Sequence, residues 1–325
     1  CAGAAQHRAY RELSGLTMGT TYTITYEIVG QASEPRRLGP QVNATLERVV
    51  AQMSTYDPGS ELSRFNAQAQ TDWFPVSRDL VLVIDTARTV SDATGGAFDV
   101  TIGPLVNLWR FGPHAAPAGV PRAESIASAK KLVSYQHLEA DLQSSRIRKV
   151  LAGVYVDLSG IAQGFAVDKI TGLLRSVGVK SYLVELGGEL SAAGVNPNGV
   201  PWRVAIERPW GARPGELLDR IISLNGTSLA TSGDYRKYFE HDGHIYSHII
   251  DPRTGWPVSG DLTSVSVIHR STMHADALAT ALLVMGREKG AQFSERHGLA
   301  VLFVSRNGNS LHEEMTAHFR SATVH

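Results

Sequence analysis

The sequence predicts an α+β fold. Short segments with strand periodicity recur around Gly-rich turns, and long amphipathic helices interrupt them without the strict strand–helix alternation of a doubly wound sheet. The chain length of 325 residues suits one large domain or two closely packed lobes. Residues 16–325 read as the globular part, preceded by a tether over residues 1–15.

The elements follow in order. Thr20–Val29 places Tyr22, Ile24, Tyr26 and Ile28 on one face, the pattern of a half-buried strand. Residues 30–39 read as a Pro/Gly/Arg loop. Val42–Met53 is helical, with Val42, Leu46, Val49 and Met53 at core spacing. Asp57–Pro58–Gly59–Ser60 is a turn, and Ser60 caps a short helix reaching Phe65. Ser77–Thr94 is a long helix stopped by Gly95–Gly96. Residues 103–122, rich in Pro, Gly and aromatics, read as a long loop. Arg146–Val156 has the pattern of a hairpin and Leu158–Val177 that of a helix. Tyr182–Glu185 and Trp202–Glu207 are strands, and Leu224–Tyr238 with His244–Ile250 continue the sheet. Thr263–His269 (strand), Ser271–Gly286 and Gly290–His297 (helices) and Leu299–Ser305 (strand) complete the chain.

Composition narrows the function. The 31 basic and 31 acidic residues cancel, which argues against a nucleic-acid footprint. No apolar run approaches the ~18 residues of a membrane span. The single cysteine, Cys1, excludes a disulfide within the chain. A cysteine at the first position, followed by Ala2–Gly3–Ala4–Ala5–Gln6, has the pattern of a bacterial lipoprotein after signal cleavage. It implies a membrane attachment through a lipid on Cys1 at the periplasmic side, the inner membrane being favoured; a chain trimmed to begin there is the other reading.

Four segments can carry chemistry, and each also has a plain structural explanation. The segment Val156–Asp168, with Asp157–Leu158–Ser159–Gly160–Ile161–Ala162–Gln163–Gly164 inside it, passes from strand to a small-residue helix start, where backbone N–H groups can meet phosphate; an ordinary strand–helix junction with Asp157 or Ser159 as a cap is its plain structural explanation. In His274–Ala275–Asp276–Ala277–Leu278–Ala279–Thr280, the i, i+4 spacing puts Asp276 and Thr280 on one helix face, two oxygen donors suited to magnesium. Asp276 near a helix start also favours the helix by itself. His248, before the Asp251–Pro252–Arg253–Thr254–Gly255 turn, can take a proton from a hydroxyl or serve as a structural histidine. Beside it, Ser232–Gly233–Asp234–Tyr235–Arg236–Lys237 adds a positively charged turn that can face an anion or be a solvated hairpin tip. Tyr56 can stack on a flat ring that the Gly95–Asp99 loop holds through its backbone, or both can be core and turn. There is no G-x-G-x-x-G after a strand, no Walker lysine loop, no zinc-spaced His/Cys cluster and no G-x-S-x-G elbow.

Together with Met18–Gly19–Thr20, Glu185–Leu186–Gly187–Gly188–Glu189 and Ala230–Thr231–Ser232–Gly233–Asp234, these segments resemble the ApbE family of FAD:protein FMN transferases in order and spacing. The resemblance implies a T-fold-like arrangement with FAD in a cleft between lobes. It implies magnesium on Asp276, Thr280 and the main-chain oxygen of Gly160. By position, Met18, Tyr56, Ala97, Phe98, Asp99, Asp157, Gln163 and Ile250 would line the FAD site. His248 falls at the proposed catalytic histidine, with Asp276 as the alternative proton acceptor. Gln163 departs from the lysine common at its position and brings no charge. The implied activity is magnesium-dependent transfer of FMN from FAD to a Thr/Ser hydroxyl of an acceptor flavoprotein, with release of AMP. The implied acceptors are subunits of membrane redox complexes with periplasmic flavin domains. Two further readings use the same residues: an FAD pyrophosphatase releasing FMN and AMP, and a flavin-binding lipoprotein without chemistry.

Overall fold

The computed structural model describes residues 8–114, 117–209, 217–308 and 310–324. The chain opens with the hairpin β1 (Tyr10–Thr17) and β2 (Thr20–Glu27), then α1 (Pro35–Met53), α2 (Glu61–Ala67), β3 (Phe74–Pro75) and α3 (Arg78–Ala93). Next come α4 (Gly103–Leu108), α5 (Ala123–Lys130), β4 (Leu138–Asp141), β5 (Arg146–Lys149) and α6 (Ala162–Ser176). Then follow β6 (Tyr182–Leu186), β7 (Glu189–Ala193), β8 (Trp202–Glu207), β9 (Leu217–Leu224), β10 (Thr227–Gly233), β11 (Tyr238–His241), β12 (His244–Ser247) and β13 (Leu262–His269). The last elements are α7 (Thr272–Met285), α8 (Arg287–Arg296), β14 (Ala300–Asn307), β15 (Ser310–Met315), α9 (Ala317–Ala322) and β16 (Thr323–Val324).

An antiparallel sheet in the order β1-β2-β6-β7-β10-β13-β14-β15 forms the centre. Both of its faces are covered, so the strand alternation distributes side chains between two apolar layers. Val301 and Phe303 of β14 join the layer that holds α1, α3, α6 and α7, whereas Leu302 and Val304 join Trp202, Ile222 and Phe319 on the opposite side. That second side is closed by the small sheet β16-β9-β8 and α9. A third cluster, Leu105, Trp109, Ile126 and Ile250, ties α4 and α5 to the segment after β12. Among the described residues no helix is long and apolar enough to cross a membrane.

The α+β expectation holds, with differences of detail. Residues 10–15, read as tether, lie in β1; Cys1 and the rest of 1–7 fall outside the described residues. Helix α1 begins at Pro35, inside the segment read as loop, because proline is tolerated in a first helical turn. The 103–122 segment contains α4, again with proline near its start. The hairpin expected at Arg146–Val156 is β4–β5, displaced toward the N-terminus. His244–Ile250 does not extend the central sheet: β11 and β12 pair only with each other, as a separate ribbon.

One side chain joins the helical layer to the site. The Asn66 amide, in the last turn of α2, donates to the Val156 carbonyl at 2.8 Å and accepts from the Val156 N–H at 2.8 Å. Val156 is fully buried, so Asn66→Ala strands two backbone groups. We expect urea unfolding to show a loss of about 2 kcal/mol, against ~0.5 kcal/mol for an ordinary surface substitution.

Candidate active site

The site forms where the start of α6 crosses α7. Gly164 lets the helices approach closely: a Cβ there would lie 2.4 Å from the Thr272 carbonyl oxygen. Each helix then supplies a carboxylate to the other's N-terminus, where backbone N–H groups lack partners within their own helix. Asp168 of α6 accepts from Thr272 N (2.8 Å), Met273 N (3.1 Å) and Ser271 Oγ (2.7 Å). Asp276 of α7 accepts through Oδ2 from Gly164 N at 3.0 Å.

One turn beyond Asp276, Thr280 shares a hydrogen bond of 3.0 Å with Ser232 of β10. Thr280 also packs against Gly160: a Cβ at Gly160 would fall 3.3 Å from Thr280 Oγ1 and 3.2 Å from the Phe98 ring. The i, i+4 pair and the small-residue loop read from sequence therefore meet. Asp276 is 5% exposed. Burial, opposed by the Gly164 hydrogen bond and by Arg236, pushes its carboxyl up to about 7. Glu189, at the start of β7, is 4% exposed, and its Oε2 has no hydrogen-bond partner. Burial and the Asp276 charge raise it well above the ordinary carboxylate range.

The Gly187–Gly188 turn runs beside these carboxylates with φ of 65° and 108°. Arg236 donates to the Gly187 carbonyl at 2.7 Å, and the Gln163 amide lies against the same glycine. From Arg236 a cleft of about 380 Å³ opens, lined by Arg110, Phe111, Arg236, Lys237, Tyr238 and Phe239. His248 borders it, with its ring edge-on to Phe111 at 6.2 Å between centroids. Its Nδ1 lies 3.0 Å from the Lys237 carbonyl oxygen. A carbonyl only accepts, so Nδ1 carries the proton and Nε2 keeps its lone pair. Burial, with a smaller repulsion from Lys237 and Arg236 and against the Lys237 hydrogen bond, pushes the imidazole down to about 4. Tyr56 is 65% exposed and reaches the same wall, donating to the Phe111 carbonyl at 3.2 Å.

The remaining sequence-derived residues are placed less directly. Asp157 is buried, and its Oδ1 accepts from Ser159 N at 2.8 Å, an Asx turn ahead of α6, whose N-cap is Ile161 without a side-chain bond. Asp99 is an internal anchor: Oδ1 accepts from Thr101 N and Oγ1 and Oδ2 from Tyr135 N, at 2.7–2.8 Å. Ala97 is fully buried, and the Ile250 side chain sits in the Leu105–Trp109 cluster. Met18 occupies the β1–β2 turn at φ 50°, packed against the main core. Arg110, Phe111 and Glu189 drew no role from the sequence. The first two sat in a segment read as loop, and Glu189 was visible only as the end of a Gly-Gly turn.

A sequence model of the ApbE family matches residues 18–303. The chain belongs to the ApbE family. It is 42% identical to the FAD:protein FMN transferase of Vibrio cholerae, over 98% of this chain and 94% of that one. The solved flavin transferase ApbE from Vibrio cholerae superposes with a TM-score of 0.89 at 41% identity, covering 97% of this chain and 99% of that one. The flavinyl transferase ApbE of Pseudomonas stutzeri, in its apo form, gives 0.89 at 40% identity, covering 98% of each chain. Within the ApbE fold, then, the crossing of α6 and α7 sets Asp276 against Gly164 and Thr280 against Gly160, while the β10–β11 connection carries the cationic side chains Arg236 and Lys237.

Proposed function

We propose that this protein transfers FMN from FAD to a Thr or Ser hydroxyl of an acceptor flavoprotein and releases AMP. The observation that carries the reading is that one face of α7 sets Thr280 against Gly160 and, a turn away, Asp276 against Gly164, in a chain of the ApbE family. The names of its full-length relatives support the substrate and the reaction. The acceptor class that fits is a membrane redox-complex subunit with a periplasmic flavin domain, a reading that rests on the family alone.

The donors suit magnesium. Among the described residues, no group of three or more His, Cys, Asp and Glu is disposed to hold a metal. A cation held by the Asp276 carboxylate, the Thr280 hydroxyl and the Gly160 carbonyl would complete its shell with water and substrate phosphate, a set that suits magnesium. The unpartnered Glu189 oxygen and the single N–H on Asp276 leave negative charge for it to balance. When held by Asp276, Thr280 and the Gly160 carbonyl, magnesium supplies charge withdrawal from the FAD pyrophosphate. Arg236 and Lys237 add positive charge beside it. His248 Nε2 takes the proton of the acceptor hydroxyl, whose oxygen bonds to the FMN-side phosphorus. The bond from that phosphorus to the AMP oxygen breaks, and AMP leaves.

Incubating the protein with FAD, magnesium and a candidate acceptor domain should raise the acceptor's mass by one FMN. Accumulation of free FMN with the acceptor unmodified would instead make the protein a hydrolase. His248→Gln should slow transfer by ~10²–10⁴-fold, the usual worth of a general base. Because the imidazole is held neutral down to about pH 4, wild-type kcat at saturating magnesium should show no limb near pH 6.5 from His248. A limb at 6.5 that disappears in the Gln variant would contradict the burial argument.

A further inference from the structure

We propose that Glu189 belongs to the cation site, holding a metal-bound water beside Asp276 and so setting how tightly the site takes a divalent cation. The inference rests on the magnesium reading above and extends it to a residue outside the three implied ligands.

Glu189 is the first residue of β7, directly after the Gly187–Gly188 turn, and pairs with Leu186 across the hairpin. It is 4% exposed and leaves Oε2 without a partner. A buried carboxylate oxygen in that condition is costly, and most native ones are satisfied by protein, water or an ion. The charges acting most strongly on it are Asp276 and Arg236. Arg236 is engaged elsewhere: Nη1 donates to the Gly187 carbonyl, and a Cβ on Gly188 would come 2.5 Å from Nη2. The guanidinium therefore braces the turn and leaves the Glu189 oxygen open. Two buried carboxylates next to each other repel, and a hard dication resolves both that repulsion and the missing partner. Carboxylates one step outside the direct ligands commonly orient a metal's water and raise affinity 10- to 100-fold.

The test is magnesium titration of the whole protein by calorimetry, checked by Mn2+ electron paramagnetic resonance, using wild type, Glu189→Gln and Asp276→Asn. Glutamine keeps the size and removes the charge. We expect E189Q to bind magnesium at least ~10-fold more weakly, with FAD affinity in chelator unchanged and with a metal-free Tm at or above wild type. Equal magnesium affinity in E189Q and wild type, with D276N weakened, would overturn the role of Glu189 alone. Absence of magnesium binding in wild type, or full affinity in D276N, would overturn the magnesium reading beneath it. Should E189Q fold poorly, Glu189→Asp keeps the charge while shortening the reach. It should then bind magnesium more weakly than wild type, and equal affinity would again count against the proposal.

Discussion

Asp276→Asn should reduce FMN transfer by ~10³-fold or more while leaving the protein folded, because it removes the one charged direct ligand of the proposed cation site. The amide oxygen of asparagine can still accept from Gly164 N, now 3.0 Å from Asp276 Oδ2, so the cap on α6 survives. Circular dichroism and Tm should therefore change little while magnesium-dependent transfer disappears. Full activity in D276N would end the assignment. The raised carboxyl adds a second signature. Below about pH 7 a proton competes with the cation for Asp276, so apparent magnesium affinity should fall by up to ~10-fold per pH unit on further acidification. Stability in chelator has the opposite sign. A carboxyl raised in the folded state contributes fully below its ordinary value near 3.8 and loses that contribution as pH rises through about 7. D276N should flatten that dependence.

Gly164→Ala should damage both fold and site. Its Cβ would meet Thr272 O at 2.4 Å, Thr272 C at 2.7 Å and Met273 Cα at 2.8 Å, all backbone of α7. Backbone cannot swing aside as a side-chain tip can, so the helices must separate. We expect a loss of about 3 kcal/mol and a Tm lower by roughly 5–10 °C. Separation also breaks the Gly164–Asp276 contact, so magnesium affinity should fall with stability. Gly172, two turns along the same helix, is the internal comparison. Nothing lies within 4 Å of a Cβ there, and Gly172→Ala should stabilise by about 0.5–1 kcal/mol through helix propensity. Equal effects at the two glycines would refute the close-approach argument.

What could be read in advance follows from how local the signal is. Asp276 and Thr280 were legible as a pair because helical periodicity fixes i, i+4 neighbours wherever the helix packs. The Ser60 cap was equally local, and it accepts the Ser63 N–H; Ser77 and Ser271, which open the next two runs read as helices from a serine, turn out to cap α3 and α7 in the same way. Strand β1 was not legible: it is an edge strand, largely exposed, held to β2 by backbone pairing rather than by an apolar stripe. The β11–β12 ribbon has strand composition but no sheet to join, and periodicity cannot tell which strands are neighbours. The resemblance places Asp99 at the FAD site. Its oxygens are consumed by Thr101 and by Tyr135, the latter 36 residues away, and no sequence window shows such a contact. Glu189 and Arg110 likewise gain their meaning from strands and loops that approach only in the folded chain.

The reciprocal caps on α6 and α7 bear on which ions can be accepted. Gly164 engages Asp276 through Oδ2, so a cation held there would disturb the α6 cap least if bound through Oδ1. A carboxylate presenting one oxygen, beside a hydroxyl and a carbonyl, suits a small ion with short octahedral bonds. Calcium, which prefers more ligands and often a two-oxygen grip, would have to share Oδ2 with the Gly164 N–H and so would weaken the α6 cap. On the magnesium reading, discrimination between ions would draw on the packing of two helices, through an amide N–H that itself never touches the metal.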